Sequence, residues 1–260
     1  MTPRVLPAAL QIRFASTHNA FGSREATKKS RSRGLRMAFP WRVAIFLLVL
    51  SIVTPAKAAD RDGFYAGLRL IGSVADLDGI ETTGFTGSYL ERHGDDLVAG
   101  GGGVFGYRWG WLPLRTEVEV AHRVRFDWDF RDGGGATDVG YNNNLDSTNV
   151  LFNALFEYRN MSSFTPFFGG TLGWARNHSD VARKNIGTGA TSDLSTAVNN
   201  VAWGVMLGVD WAFAQHWNVE AAYRYINLGE VSTGSFSTGD KITADDYTSH
   251  DVLLSAMYRW

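Results

Sequence analysis

The sequence predicts an all-β fold, an eight-stranded antiparallel up-and-down transmembrane β-barrel. Three observations carry that prediction. Segments of strand length repeat an apolar side chain at every second position, and the last of them (Val252, Leu254, Ala256, Tyr258, Trp260) ends on aromatics. A period of two places such side chains on one face of a strand. No stretch after residue 58 has helix periodicity, so no element is at hand to cover eight apolar faces. A closed barrel in lipid needs no cover and satisfies every backbone group. The connections also alternate between short and long, as when short turns lie on one side of a membrane and long loops on the other.

In chain order, Val43 to Val53 is an apolar run of 11 residues, too short for a bilayer-spanning helix of about 20. Arg42 precedes it and Ala56-Lys57-Ala58 follows, the layout of a signal peptide over 37–58 cleaved after Ala58. Residues 1–36 are basic and read either as an extended leader or tail, or as sequence upstream of a start at Met37; the second is the expectation. The first strand is Phe64–Ser73, with Phe64, Ala66, Leu68 and Leu70 opposite Arg69. The second, Leu97–Trp109, is glycine-rich and closes on Phe105, Tyr107 and Trp109. The third, Leu114–Phe130, sets Val118, Val120, Val124, Phe126, Trp128 and Phe130 against Arg115, Glu117, Glu119, Arg123, Arg125 and Asp127. Asn149–Arg159 sets Val150, Phe152 and Phe156 against Asn153 and Glu157. Thr165–Arg176 carries Phe168, Leu172 and Trp174. Val201–Phe213 carries seven apolar alternations opposite Gly204, Gly208 and Asp210, and Asn218–Leu228 sets Val219, Tyr223 and Tyr225 against Glu220 and Arg224. The eighth is Val252–Trp260. Short turns are predicted at 110–113, 160–164 and 214–217, and four long outer loops at 74–96, 131–147, 177–200 and 229–249, so that 59–260 forms one barrel.

Composition excludes several classes. There is no Cys, hence no disulfide, thiolate metal site or Cys nucleophile. Residues 1–58 hold 10 Lys/Arg and one acid; subtracting these from 25 and 26 leaves 15 basic and 25 acidic residues in 59–260. An acidic chain is poorly suited to nucleic acid, whose binding rests on phosphate neutralisation.

Several phrases in this order resemble the eight-stranded outer-membrane β-barrel family that includes the opacity proteins and the OmpA transmembrane domain, a small-barrel branch of the porin family. They are Gly63-Phe64-Tyr65-Ala66-Gly67, Phe105-Gly106-Tyr107-Arg108-Trp109, Thr165-Pro166-Phe167-Phe168-Gly169-Gly170, Glu220 to Tyr225, and Tyr258-Arg259-Trp260. The resemblance covers 63–260. It implies a place in the outer membrane of a Gram-negative bacterium among lipid and lipopolysaccharide. It also implies insertion by the barrel-assembly machinery, which reads Tyr258 and Trp260 in the last strand. It fixes no single activity: family members stabilise the envelope, adhere to surfaces or form small pores.

Strand parity sends Arg108, Arg115, Glu117, Glu119, Arg123, Arg125, Asp127, Glu157, Asp210, Glu220 and Arg224 into the lumen, with Arg69, Arg159 and Arg259. Eight strands enclose only enough room for side chains, so the expectation is a salt-bridged plug, with a narrow solute pore as the alternative. The Gly100–Gly106 string lacks the helix that a dinucleotide site needs; small residues there serve strand packing. His93, His178 and His250 lie in or beside outer loops without a metal-ligand spacing. His122 points at lipid, which suggests a lipid A-modifying enzyme, but no Ser lies two residues away. In Ser249-His250-Asp251 neighbours face opposite ways. The expectation is therefore an integral membrane protein with an envelope-stabilising or surface-adhesive role, no enzyme, no catalytic or metal residues and no cofactor. The acidic first and fourth loops are the candidate contacts for a host surface or divalent cations.

Overall fold

The computed structural model describes residues 62–85, 87–93, 97–133 and 138–260, without the side chains of 88–93, 125, 126 and 128. The basic segment, the signal peptide, Asp95 and Asp96 lie outside the described residues. Ten strands and no helix occur among those described: β1 Gly63–Thr83, β2 Ser88–His93, β3 Leu97–Arg108, β4 Leu114–Gly133, β5 Val139–Glu157, β6 Phe164–Asn185, β7 Thr191–Ala212, β8 Trp217–Asn227, β9 Val231–Ser232 and β10 Lys241–Arg259.

Each strand pairs antiparallel with the next around the ring β1-β3-β4-β5-β6-β7-β8-β10, and β10 closes onto β1 from Tyr65↔Arg259 to Thr83↔Lys241. The short β2 pairs with β4 beyond the end of β3, and β9 pairs with β10 beyond the end of β8. The ring thus has eight positions and no open edge, which removes the unpaired N–H and C=O rows that cannot exist in hydrocarbon.

The exterior is apolar at one level. Leu68, Leu70, Val118, Val120, Phe152, Leu172, Val205 and Leu254 are all exposed side chains on outward positions. At the end of the short turns this belt finishes in touching rings: Phe64 with Tyr107, Tyr107 with Trp109, Trp217 with Tyr258, and Tyr258 with Trp260, at centroid distances of 4.8, 5.1, 5.2 and 5.9 Å. Tyr and Trp have an apolar body and a polar tip, which suits them to a lipid–water boundary.

Two expectations need correction. Strands extend well past the belt, so most of the four stretches expected as long outer loops is ladder; β6 and β7 stay paired out to Lys184↔Thr191. The third strand also does not alternate without a break. Arg123 pairs with Ser147 and Phe126 with Leu145, three residues against two. This bulge inverts the parity above it. Phe130, expected on the lipid face, is buried inside, and Asp127, expected in the lumen, is exposed.

Above the bulge the interior resembles a soluble core. Leu77, Val98, Phe130, Tyr141, Leu145, Ile226, Ile242 and Tyr247 form one buried apolar cluster. Two loop residues close it: Phe85 stacks on Tyr141 at 5.5 Å and Phe236 meets the same ring edge-on at 6.0 Å. Asp240 fastens the second loop by accepting from Tyr141 Oη (2.8 Å), Arg183 Nε (2.7 Å) and Thr238 Oγ1 (3.1 Å). Burial, and after it the Asp240 carboxylate, push the Tyr141 phenol well above its ordinary range. Asp240→Ala is expected to cost roughly 1–3 kcal/mol, because buried donors lose their acceptor. It should speed protease cleavage within 233–240 and let Tyr141 form phenolate at lower pH, read by absorbance titration.

Candidate functional site

The lumen at the level of the apolar belt is ionic. Six arginines (69, 108, 115, 123, 224, 259) and six carboxylates (Glu117, Glu119, Glu157, Asp210, Glu220, Asp251) are all buried. A charge taken from water costs several kcal/mol unless it is paired and hydrogen-bonded, and the pairing here is dense.

Arg69 is the hub of the central layer. Its Nη1 donates to Glu117 Oε1 (3.1 Å) and Glu119 Oε2 (2.5 Å), its Nη2 to Glu220 Oε1 (2.8 Å) and its Nε to Ser255 Oγ (2.9 Å). Arg224 donates from Nη1 to both oxygens of Glu119 and from Nε to Asp251. Arg123 reaches the same Asp251 oxygen at 2.6 Å. The other oxygen of Asp251 accepts from Ser73 and Ser249, each at 2.7 Å. Arg115 donates to Glu220, and its guanidinium lies 4.7 Å from the Phe167 ring centre and 5.6 Å from that of Tyr65, where the ring faces attract a cation. Tyr65 Oη and Asn153 Nδ2 add donors to Glu117, at 2.7 and 2.9 Å.

A second layer lies toward the turns. Arg108 Nη2 donates to Glu157 (2.5 Å) and Asp210 (2.6 Å), and Arg259 stands 3.6 Å from Asp210. The cavity between Tyr65, Arg108, Arg115, Asp210, Met257 and Arg259 measures ≈ 10 Å³, at the bottom of what one water needs, roughly 10–15 Å³. Inward glycines let backbone and ring approach closely. A Cβ on Gly102 would stand 2.3 Å from Val120 O, and one on Gly106 would stand 2.5 Å from the Tyr65 ring.

Of the residues expected in the lumen, Arg108, Arg115, Glu117, Glu119, Arg123, Glu157, Asp210, Glu220 and Arg224 meet there. Asp127 does not, because of the bulge, and the side chain of Arg125 lies outside the described residues. Arg159 sits at the rim and donates to the backbone oxygens of Gly110 and Trp109. Asp251 was missed although it shares parity with Ser255 and Arg259, the signal that could have found it. Tyr65 was missed likewise; it shares parity with Arg69.

The acidic loop residues are redistributed. Asp76, Asp78 and Glu81 stand on β1, and Asp245 and Asp246 on β10. Asp240 is buried beside Arg183, so it is not a surface contact. On the outer wall His122 Nδ1 lies 2.9 Å from Thr148 Oγ1, and His250 lies 2.6 Å from Tyr223 Oη. His178 on β6 has other partners, Asp146 and Ser195, so it does not converge with His250. Those three residues lie on three strands, and reading one strand at a time could not join them. Among the described residues no group of three His, Asp or Glu is placed to hold a metal ion.

A family described as outer membrane protein beta-barrel domain matches residues 44–259. The outer membrane protein PagN of Salmonella typhimurium is 27% identical over 201 residues, 73% of this chain and 84% of that protein. Neisserial surface protein A is similar in structure, with a TM-score of 0.46 and 17% identity over 76% of this chain and 97% of its own. Ail, the attachment invasion locus protein of Yersinia pestis, solved with the heparin analogue sucrose octasulfate, gives 0.44 and 14% identity over 77% and 99%.

Proposed function

Because this chain belongs to the outer membrane protein β-barrel domain family and its ring spans the outer membrane of a Gram-negative bacterium, we propose that its work is done by the surface it presents outside the cell. That role is adhesion to a host surface or bracing of the lipopolysaccharide layer, and it requires no catalytic step. The observation that carries this reading is the filled interior: two neutral ionic layers and an apolar cap stand across any path through the ring. The barrel continues past the lipid belt as a rigid wall, which suits presentation to a partner. Exposed Asp76, Glu81 and Asp245 give that wall negative charge, a fit for basic host surfaces or for divalent cations bridging to lipopolysaccharide phosphate. Assembly through the barrel-assembly machinery, with Tyr258 and Trp260 in the recognised strand, belongs to the same proposal.

The test is surface display in a non-adherent bacterial host. Displaying cells should bind cultured host cells above the empty-vector level, and shortening the β6–β7 hairpin above Asp180 and Ser195 should change that binding or the cells' sensitivity to detergent. If neither property changes on display, the proposal fails. The purified barrel in planar bilayers is expected to give no steady conductance. Steady channels abolished by Glu117→Ala would favour a pore instead.

A further inference from the structure

The outer wall holds one constellation that neither the lumen nor the loops use. Asp146 on β5, His178 on β6 and Ser195 on β7 stand on the same outward face of three adjacent strands. The ladder sets Asp146 opposite His178 and His178 opposite Ala197, which makes Ser195 the diagonal neighbour of the ring. His178 Nδ1 lies 3.1 Å from Asp146 Oδ2 and its Nε2 lies 2.9 Å from Ser195 Oγ. An ionised carboxylate only accepts, so Nδ1 carries the proton and Nε2 is left to accept from the serine hydroxyl. Nucleophile, base and orienting carboxylate are each within hydrogen-bond reach of the next.

We propose that Ser195, His178 and Asp146 form a serine-hydrolase triad whose substrate is a short acyl ester, such as acetate, on a sugar hydroxyl. This goes beyond the surface role above and departs from the sequence expectation of no enzyme. The surroundings select the substrate. His178 is four residues beyond Trp174, an exposed aromatic of the apolar belt. At about 3.3 Å per residue on a strand tilted by about 40°, that is on the order of 10 Å beyond Trp174, toward the level of outer-leaflet sugars. Outward positions around the triad carry Asn144, Arg176, Asp180 and Asn199, groups that bond sugar hydroxyls. Ala197, opposite His178 in the ladder, sets only a methyl side chain beside the imidazole.

Ser195 Oγ attacks the ester carbonyl carbon while its proton passes to His178 Nε2. The tetrahedral intermediate collapses, the carbonyl carbon–sugar oxygen bond breaks, and the sugar oxygen takes the proton from Nε2. A water, deprotonated by Nε2, attacks the acyl-serine, and the proton returns to Ser195 Oγ as the free acid leaves. Asp146 holds Nδ1 throughout. Asp180 Oδ1, 3.7 Å from Nε2, also stabilises the transient imidazolium. Backbone amides of these strands are committed to the ladder; the cation assigned to the oxyanion is Arg176, exposed on the same face of β6 two residues from His178 and opposite Asn199.

The test uses the full chain folded in detergent, with gel mobility as the folding control, since all three residues lie on the outer wall. A fluorophosphonate probe is followed by peptide mass spectrometry. Acetate release is measured from p-nitrophenyl acetate, from a soluble acetylated hexose, and from O-acetylated lipopolysaccharide reconstituted with the barrel in bilayer vesicles. The expected result is a label on Ser195 and acetate release that falls at least about 100-fold in Ser195→Ala and His178→Asn, with Ser192→Ala unaffected. The two sugar arms tell a free glycan from the envelope's own. An unlabelled Ser195, or a label without acetate release above Ser195→Ala in any arm, overturns the triad while leaving the surface role intact.

Discussion

Arg69→Ala is expected to lower the folding stability of the barrel by roughly 3–5 kcal/mol, the range for breaking a buried ion pair from one side. Arg69 touches Glu117, Glu119 and Glu220 at once. Without it the layer keeps Arg115, Arg123 and Arg224 against Glu117, Glu119, Glu220 and Asp251, and one negative charge stays unmatched behind a wall of hydrocarbon. Urea unfolding in detergent micelles, followed by tryptophan fluorescence and gel mobility, measures the loss. The penalty comes from unmatched charge and not from lost packing, so Arg69→Met combined with Glu119→Gln should recover part of it, a coupling that a double-mutant cycle reads directly. A single mutant within about 1 kcal/mol of the parent would mean that water reaches the cluster and that the lumen is not a plug.

The second large effect lies one residue from the cluster, on the other side of the wall. Val120→Arg is expected to cost roughly 2–4 kcal/mol in lipid, the range for a cation at the bilayer midplane on the outer face of a barrel. Val120 is exposed and neighbours Gly103 and Val150 in the ladder, whereas the adjacent Glu119 is fully buried. Thr148→Arg, at the top of the same belt, should cost only about 0–1 kcal/mol. A water-soluble sheet would show no such depth dependence, because an exposed arginine on a solvated face is nearly neutral. Equal effects at the two positions would remove lipid as the solvent of this surface.

Much of this molecule was legible from residue order alone. Period-two alternation fixes which face each side chain takes, and it placed Arg115, Glu117, Glu119, Glu220 and Arg224 inside and Val120, Leu172 and Leu254 outside. The eight positions of the ring and the gathering of the short turns at one end followed from the same pattern, because a barrel strand meets a different solvent on each face. Parity fails where backbone geometry intervenes. The bulge between Arg123 and Phe126 inverts β4, and no residue type there announces it, so Asp127 and Phe130 were placed on the wrong sides. Polar stretches such as 177–200 read as loops because a strand standing in water on its outer face need not be apolar; only the partner strand shows that it is ladder. Which carboxylate each arginine meets, and that Asp146, His178 and Ser195 touch, depend on register between strands. Register is set by the closure of the whole ring, and a contact between side chains 17 or 32 residues apart has no trace in either strand read alone.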